Sequence, residues 1–194
     1  MEDRAPVGKR ALRAEIRRRR NARGVEHARR AAEQIAEQLR GLVEETRART
    51  LACYLSGEFE PGTRPFLQWA GAEGLRILLP VTREDGLLDW VVSDGESEIV
   101  HELGFPEAVG TLLGPIAVDE VDLMLVPAAA VDRSGMRLGW GRGYYDKTLG
   151  SMQRRPPVFA IVDDQELVDE VPCESHDRPV DGVVTPSGVL RFPA

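Results

Sequence analysis

The chain holds 194 residues, 42% of them hydrophobic and 29% charged, a balance that excludes disordered and fibrous classes and suits one soluble domain. Its net charge of −7 is uneven, because residues 1–50 carry 14 Lys plus Arg against 8 Asp plus Glu, +6, leaving −13 for the remainder. No apolar run approaches a membrane span and no apolar core follows the arginine-rich start, so a cytoplasmic protein without membrane association is expected.

Residues 1–8 have little pattern and are expected to be mobile. KRALRAEIRRRRNA then sets Leu12 and Ile16 four apart on one helical face, with Arg10, Arg13 and Arg17 to Arg20 on the others. So narrow a stripe predicts a helix that is not deeply buried. Lys9 and Arg13 share a face, and their ordinary reading is solvated charge. Val25 to Glu45 repeats Ala28, Ala32, Ile35, Leu39 and Leu42 at intervals of three or four, a second helix on the sheet. Thr50 to Ser56 reads as a strand running into GEFEPGT, where two carboxylates, Glu58 and Glu60, lie in a loop at a strand's carboxyl end. Arg64 to Ala72 predicts a short helix, and Leu75 to Pro80 and Leu87 to Ser93 two strands. Trp90 is expected in core or sheet-face packing. Residues 94–115 read as a long connection over the sheet, in which His101 has a surface or structural use. Cys53 and Cys173 lack metal spacing or a nucleophile signature and read as reduced structural thiols.

The most informative stretch is residues 122–146, DLMLVPAAAVDRSGMRLGWGRGYYD. Leu123 to Val126 is a continuous apolar run closed by Pro127, as in a parallel strand covered on both faces. A loop rather than a helix is expected next, because Gly135, Gly139, Gly141 and Gly143 fall within nine residues. Tyr144, Tyr145 and Asp146 open a helix through Leu149, whose N-terminal N–H groups favour an anion. Arg137 and Arg142 add full charges there. Asp146 is a candidate for capping this helix. Glycines at this spacing are neither the dinucleotide fingerprint nor a Walker loop, and taken alone they describe a turn. Another strand, PPVFAIVDD, precedes the closing segment.

Read with its neighbours, RLGWGRGYYD preceded by VPAAAVD resembles the signature of the 5-formyltetrahydrofolate cyclo-ligase family, V-P-G-x-A-F-D followed by R-L-G-x-G-x-G-Y-Y-D. Ala128 and Val131 depart from it, at positions that prepare the loop. KxxLR at Lys9 to Arg13, LLPV, and Gln165, Pro172, His176, Asp177, Val180 and Asp181 fit further family segments, so that the resemblance covers roughly residues 9 to 185. It implies a single three-layer α/β/α Rossmann-like domain over 1–194 with a mainly parallel sheet; a monomer is expected, although the sequence does not give the oligomeric state. It further implies ATP- and Mg²⁺-dependent closure of 5-formyltetrahydrofolate to 5,10-methenyltetrahydrofolate.

The residues carried over by that resemblance fall into three groups. Lys9, Arg10, Ala11, Leu12 and Arg13, with Arg137, Leu138, Gly139, Trp140, Gly141, Arg142, Gly143, Tyr144 and Tyr145, are the expected ATP-binding residues. Leu55 and Glu60 (three before Thr63), together with Trp140, Gly141, Arg142, Gly143 and Tyr144, are the expected substrate contacts, with Glu58 as the competing carboxylate. Asp146 and Asp177 are the expected Mg²⁺ ligands. One rival is a non-catalytic relative binding RNA through the basic N-terminus, whose sign would be affinity falling steeply with salt. Another is a sugar-phosphate isomerase or transferase, which accounts for the loop but not for KxxLR or the paired tyrosines.

Overall fold

The structure, a computed structural model, describes residues 5–58, 60–174 and 177–193. Helix α1 (Ala5–Ala22) begins within the stretch expected to lack pattern, while residues 1–4 and His176 lie outside the described residues. There follow α2 (Val25–Thr46), β1 (Thr50–Ala52), α3 (Arg64–Ala72), β2 (Arg76–Thr82) and β3 (Leu88–Val92). The predicted strand over 50–56 stops at Ala52, and the chain beyond it is open loop at the sheet's carboxyl edge. The expected connection over 94–115 instead carries β4 (Glu98–Val100), β5 (Pro106–Ala108) and β6 (Leu112–Leu113). β4 and β5 pair as an antiparallel hairpin whose first strand is exposed throughout, so no alternation of polarity marked it.

A 3-10 turn (Pro115–Glu120) leads to β7 (Leu123–Pro127). The stretch expected to be loop alone includes two short strands, β8 (Ala130–Asp132) and β9 (Arg137–Leu138). Then come α4 (Tyr144–Ser151), β10 (Val158–Ile161), a 3-10 turn (Asp164–Glu166), β11 (Leu167–Val168), β12 (Gly182–Thr185) and β13 (Gly188–Arg191). β8 and β9 form a small second sheet with β11.

The main sheet has eight strands in the order β13-β12-β10-β7-β1-β2-β3-β6. The five from β12 to β2 are parallel, β13 and β3 run antiparallel beside them at the two sides, and β6 pairs antiparallel with β3 at the edge. Continuous apolar runs suit the central strands because both faces are covered. Alternate residues divide between two cores: Leu51, Leu123, Leu125 and Phe159 pack with Ile35, Leu39 and Phe66 of α2 and α3, whereas Ala52, Met124, Val126 and Ala160 pack with Val118, Trp90 and Leu149 on the other face. This is a three-layer arrangement. Trp90 is fully buried, as its strand context implied.

A third cluster, of Ile16, Ala129, Ala130, Leu138 and Val171, fastens α1 to the small sheet. Ile16 is only 1% exposed, so the narrow stripe on α1 is more deeply buried than its width suggested. Among the described residues no helix is long and apolar enough to cross a membrane.

Candidate functional site

One cavity of about 870 Å³ opens along the carboxyl ends of β1, β2 and β7, the edge where open α/β sheets gather ligand groups. One end is built by the glycine-rich loop and by α1. Gly141 and Gly143 have φ of 95° and 73°, a region that side-chain-bearing residues rarely adopt. A Cβ on Gly141 would also stand 3.3 Å from the Arg13 guanidinium, so this glycine permits both the turn and the approach of α1. Arg13 Nε donates to the Gly139 carbonyl at 2.7 Å and thereby ties the helix to the loop. Gly143 itself holds the N-cap position of α4, which corrects the expectation for Asp146, a residue of that helix's first turn.

Charge at this end is organised in pairs. Lys9 Nζ donates to Asp177 Oδ2 at 2.7 Å and lies 3.4 Å from Glu174. Arg137 donates to Asp146 Oδ1 and to the Arg178 carbonyl, both at 3.1 Å, and the Arg178 N–H meets the same Oδ1 at 3.2 Å. Burial draws the Arg137 pKa down from its ordinary value, against the opposing pull of Asp146. Arg142 is exposed on the loop. Among the described residues, no group of three or more His, Cys, Asp or Glu is disposed to hold a metal ion.

The other end of the cavity is apolar and contains one half-buried carboxylate. Thr63 is fully buried, and its Oγ1 donates to the Tyr54 carbonyl at 2.7 Å and accepts the Ser56 N–H at 3.2 Å, while Ser56 Oγ accepts the Thr63 N–H at 3.1 Å. This knot closes residues 56–63 into a loop, within which Glu60 Oε2 accepts the Gly57 N–H at 2.9 Å. Burial raises the Glu60 pKa, opposed by the Gly57 hydrogen bond and by Arg20. Both loop carboxylates line the cavity, but Glu58 is exposed and has no such fixture among the described residues. Opposite stand Leu79 and Pro80 of β2 and Leu103 to Pro106 from the tip of the β4–β5 hairpin.

The structure brings Lys9, Arg13, Leu55, Glu60, residues 137–146 and Asp177 to this one space. Arg10, Ala11 and Leu12 do not line it: Arg10 and Ala11 face solvent, and Leu12 packs on the cluster around Ile16. Trp140 lines the wall, with Arg17 and Arg20 placed 5.6 and 5.2 Å from its ring centroid. Ala128 and Val131, where the signature is broken, are wholly buried beneath the loop. Three residues that line the cavity carry a buried donor without a hydrogen-bond partner among the described residues: the Tyr54 hydroxyl, Arg137 Nε and Trp140 Nε1.

Sequence reasoning missed Tyr54, Arg17, Glu174 and the hairpin tip. Only Glu174 had a usable signal, its place three residues before Asp177. His101, assigned a surface or structural use, has a structural one: it stacks on Phe105 at 4.7 Å and its Nδ1 accepts the Leu103 N–H at 3.1 Å.

A model of the 5-formyltetrahydrofolate cyclo-ligase family matches residues 5–186. A 5-formyltetrahydrofolate cyclo-ligase of Mycolicibacterium smegmatis is 39% identical over 173 residues, covering 86% of this chain and 88% of the relative. That of Escherichia coli K12 is 32% identical over 182 residues, 91% of this chain and all of the relative. Among solved structures, the Aquifex aeolicus 5,10-methenyltetrahydrofolate synthetase superposes with a TM-score of 0.77 at 27% identity, over 96% of this chain and 93% of its own.

Proposed function

This chain belongs to the 5-formyltetrahydrofolate cyclo-ligase family, and we propose on that premise that it converts 5-formyltetrahydrofolate to 5,10-methenyltetrahydrofolate, consuming ATP and releasing ADP and phosphate. The observation that carries this reading is the division of a single cavity into a cationic, glycine-lined end and an apolar end with a half-buried carboxylate. The reaction needs two such ends side by side. The N-formyl oxygen is a poor leaving group, so it first takes the terminal phosphoryl of ATP: an O–P bond forms and the bond to ADP breaks. N10 then attacks the activated carbon, its proton is lost, and the C–O bond breaks to release phosphate.

Such a transfer depends on positioning and on charge stabilisation rather than on a protein nucleophile. In this reading Lys9, Arg13, Arg137, Arg142 and the N–H groups of the loop hold the triphosphate, and Leu55, Glu60 and Tyr144 face the folate. Ion pairs with Asp177 and Asp146 keep Lys9 and Arg137 extended toward that space before any ligand arrives. The carboxylates also suit magnesium, which accepts hard oxygen donors and commonly combines one or two carboxylates with phosphate oxygens. Asp146 makes its contacts through Oδ1, which leaves Oδ2 without a protein partner among the described residues. Mg²⁺ held there with the triphosphate would neutralise charge developing on the transferred group.

The RNA-binding alternative draws less support. Arg18 and Arg19 pair with Glu15, and Arg20 with Glu166, so much of the basic run is engaged within the protein. The test is the near-ultraviolet absorbance of the methenyl product. Its growth with 5-formyltetrahydrofolate only when Mg-ATP is present is the expected result, and a folded protein that binds ATP but forms no product refutes the assignment.

A further inference from the structure

Tyr54 directly precedes Leu55 in the loop beyond β1, and it is 3% exposed, a member of the core cluster that also lines the cavity. Its carbonyl is fixed by Thr63, yet its hydroxyl is buried without a hydrogen-bond partner among the described residues. Buried hydroxyls are nearly always paired, and an unpaired one in a residue that lines a cavity can be satisfied by an occupant.

Its surroundings indicate what that occupant presents. Glu60 lies close enough that its charge, after burial, contributes to pushing both Tyr54 and Tyr145 well above the ordinary phenol range. Both phenols are therefore donors at neutral pH. A Cβ placed on Gly57 would stand 3.6 Å from Glu60 Oε2 and 3.7 Å from the Pro106 ring, which locates the carboxylate beside the hairpin tip at the apolar end. Thr63 ties the Tyr54 backbone to the loop that carries Glu60, and both residues line the cavity, so that together they offer a two-pronged acceptor and a neutral donor.

Resting on the folate reading above, this pattern has a chemical complement. The edge of a 4-oxopteridine presents its 2-amino group, then N3–H, then O4: two donors followed by an acceptor. A single carboxylate can receive the two donors, and the acceptor then requires a donor alongside. We propose that Tyr54 is a specificity-determining residue of the folate end, its hydroxyl donating to the O4 carbonyl of the pteridine ring whose amino and N3–H groups Glu60 receives. A site built to pair a substrate's polar edge rejects rings that lack it, because its own buried groups are then left unpaired.

Tyr54→Phe removes one oxygen and keeps the ring in the core. The full chain and this variant are compared in four measurements: the Michaelis constants for the folate substrate and for Mg-ATP, the thermal midpoint, and the calorimetric dissociation constant of the folate substrate without nucleotide. The expected result is a rise of about tenfold in both folate constants, as for loss of one buried hydrogen bond to a ligand, with the ATP constant within about twofold and no fall in thermal midpoint. A folate dissociation constant unchanged in the variant overturns the assignment while leaving the cyclo-ligase reading intact. An equal loss for ATP and folate makes Tyr54 a structural residue and likewise overturns it. Unmodified protein that binds no 5-formyltetrahydrofolate overturns this proposal and the cyclo-ligase reading together.

Discussion

Of the four consecutive arginines at the end of α1, one is predicted to matter far more for stability than its neighbours. Arg20 is held by Glu166 in a two-point contact of 2.8 and 2.6 Å, with side chains only 6% and 1% exposed. Arg20 also donates to the Ala128 carbonyl at 3.0 Å, and Glu166 lies 3.3 Å from Arg23. Removing one member of a buried ion pair costs about 3–5 kcal/mol, chiefly because the remaining charge stays desolvated. For a chain of this length each kcal/mol lowers Tm by about 2–4 °C. Glu166→Ala should therefore melt roughly 6–20 °C below the unmodified protein, read by calorimetry or circular dichroism. Glu15 provides the internal control: it pairs with Arg18 and Arg19 at 2.6 and 2.8 Å, but on the surface, where solvent and salt screen the interaction. Glu15→Ala should melt with the unmodified protein. The combined variant Arg20→Met, Glu166→Leu should recover most of the loss, since an apolar pair of similar volume removes the desolvated charge. A Glu166→Ala protein melting within about 2 °C of the original would refute the reasoning, because burial would then not distinguish one arginine of the run from the others.

Arg137→Ala and Asp146→Ala should each reduce ATP-dependent methenyl formation by at least about a hundredfold, the scale for removing a preorganised charge contact, and retention of most turnover would show the phosphate end to be misassigned. Glu60→Gln should raise the Michaelis constant for the folate substrate by about tenfold or more, since hydrogen bonds to a charged group contribute about 1.5–3 kcal/mol, whereas Glu58→Gln should leave it unchanged; the reverse order would make Glu58 the folate carboxylate. Because burial raises the Glu60 pKa, the folded state binds more protons than the unfolded chain between the ordinary and the raised value, so its contribution favours folding at low pH and is lost as pH rises through the raised value. Urea unfolding across pH should show a flatter profile for Glu60→Gln, and superposable profiles would count against the burial argument. A thiol reagent should titrate one cysteine in the folded protein, exposed Cys173, while buried Cys53, pushed up to about 12, reacts only on unfolding; two equally fast thiols would contradict the placement of Cys53.

The two ends of the cleft were unequally legible in the sequence, and the difference is physical. The end proposed to hold phosphate depends on residue types that are costly elsewhere: glycines such as Gly141 and Gly143 are needed for their φ, and Lys9 and Arg13 share a face at helical spacing, so each feature is visible within a few residues. The central strands were legible for a similar reason, since runs such as Leu123 to Val126 are apolar on both faces. The end proposed to take the folate uses ordinary core residues. Tyr54, Leu79, Pro80 and Phe105 differ from packing residues only in which neighbour is absent, and that is decided by chain far away in sequence, as when the β4–β5 hairpin brings Pro106 beside Gly57. Partner choice was hidden in the same way: nothing local marks Lys9 for Asp177, 168 residues on, or Arg20 rather than Arg19 for Glu166. The departures Ala128 and Val131 illustrate the converse, because they fill space under the loop and change no charge or hydrogen bond that a ligand would meet. On the proposed assignment the loop foundation varies here without a change at the phosphate end, while the exchange of one hydroxyl at position 54, unremarkable in sequence, would change what the pteridine edge encounters.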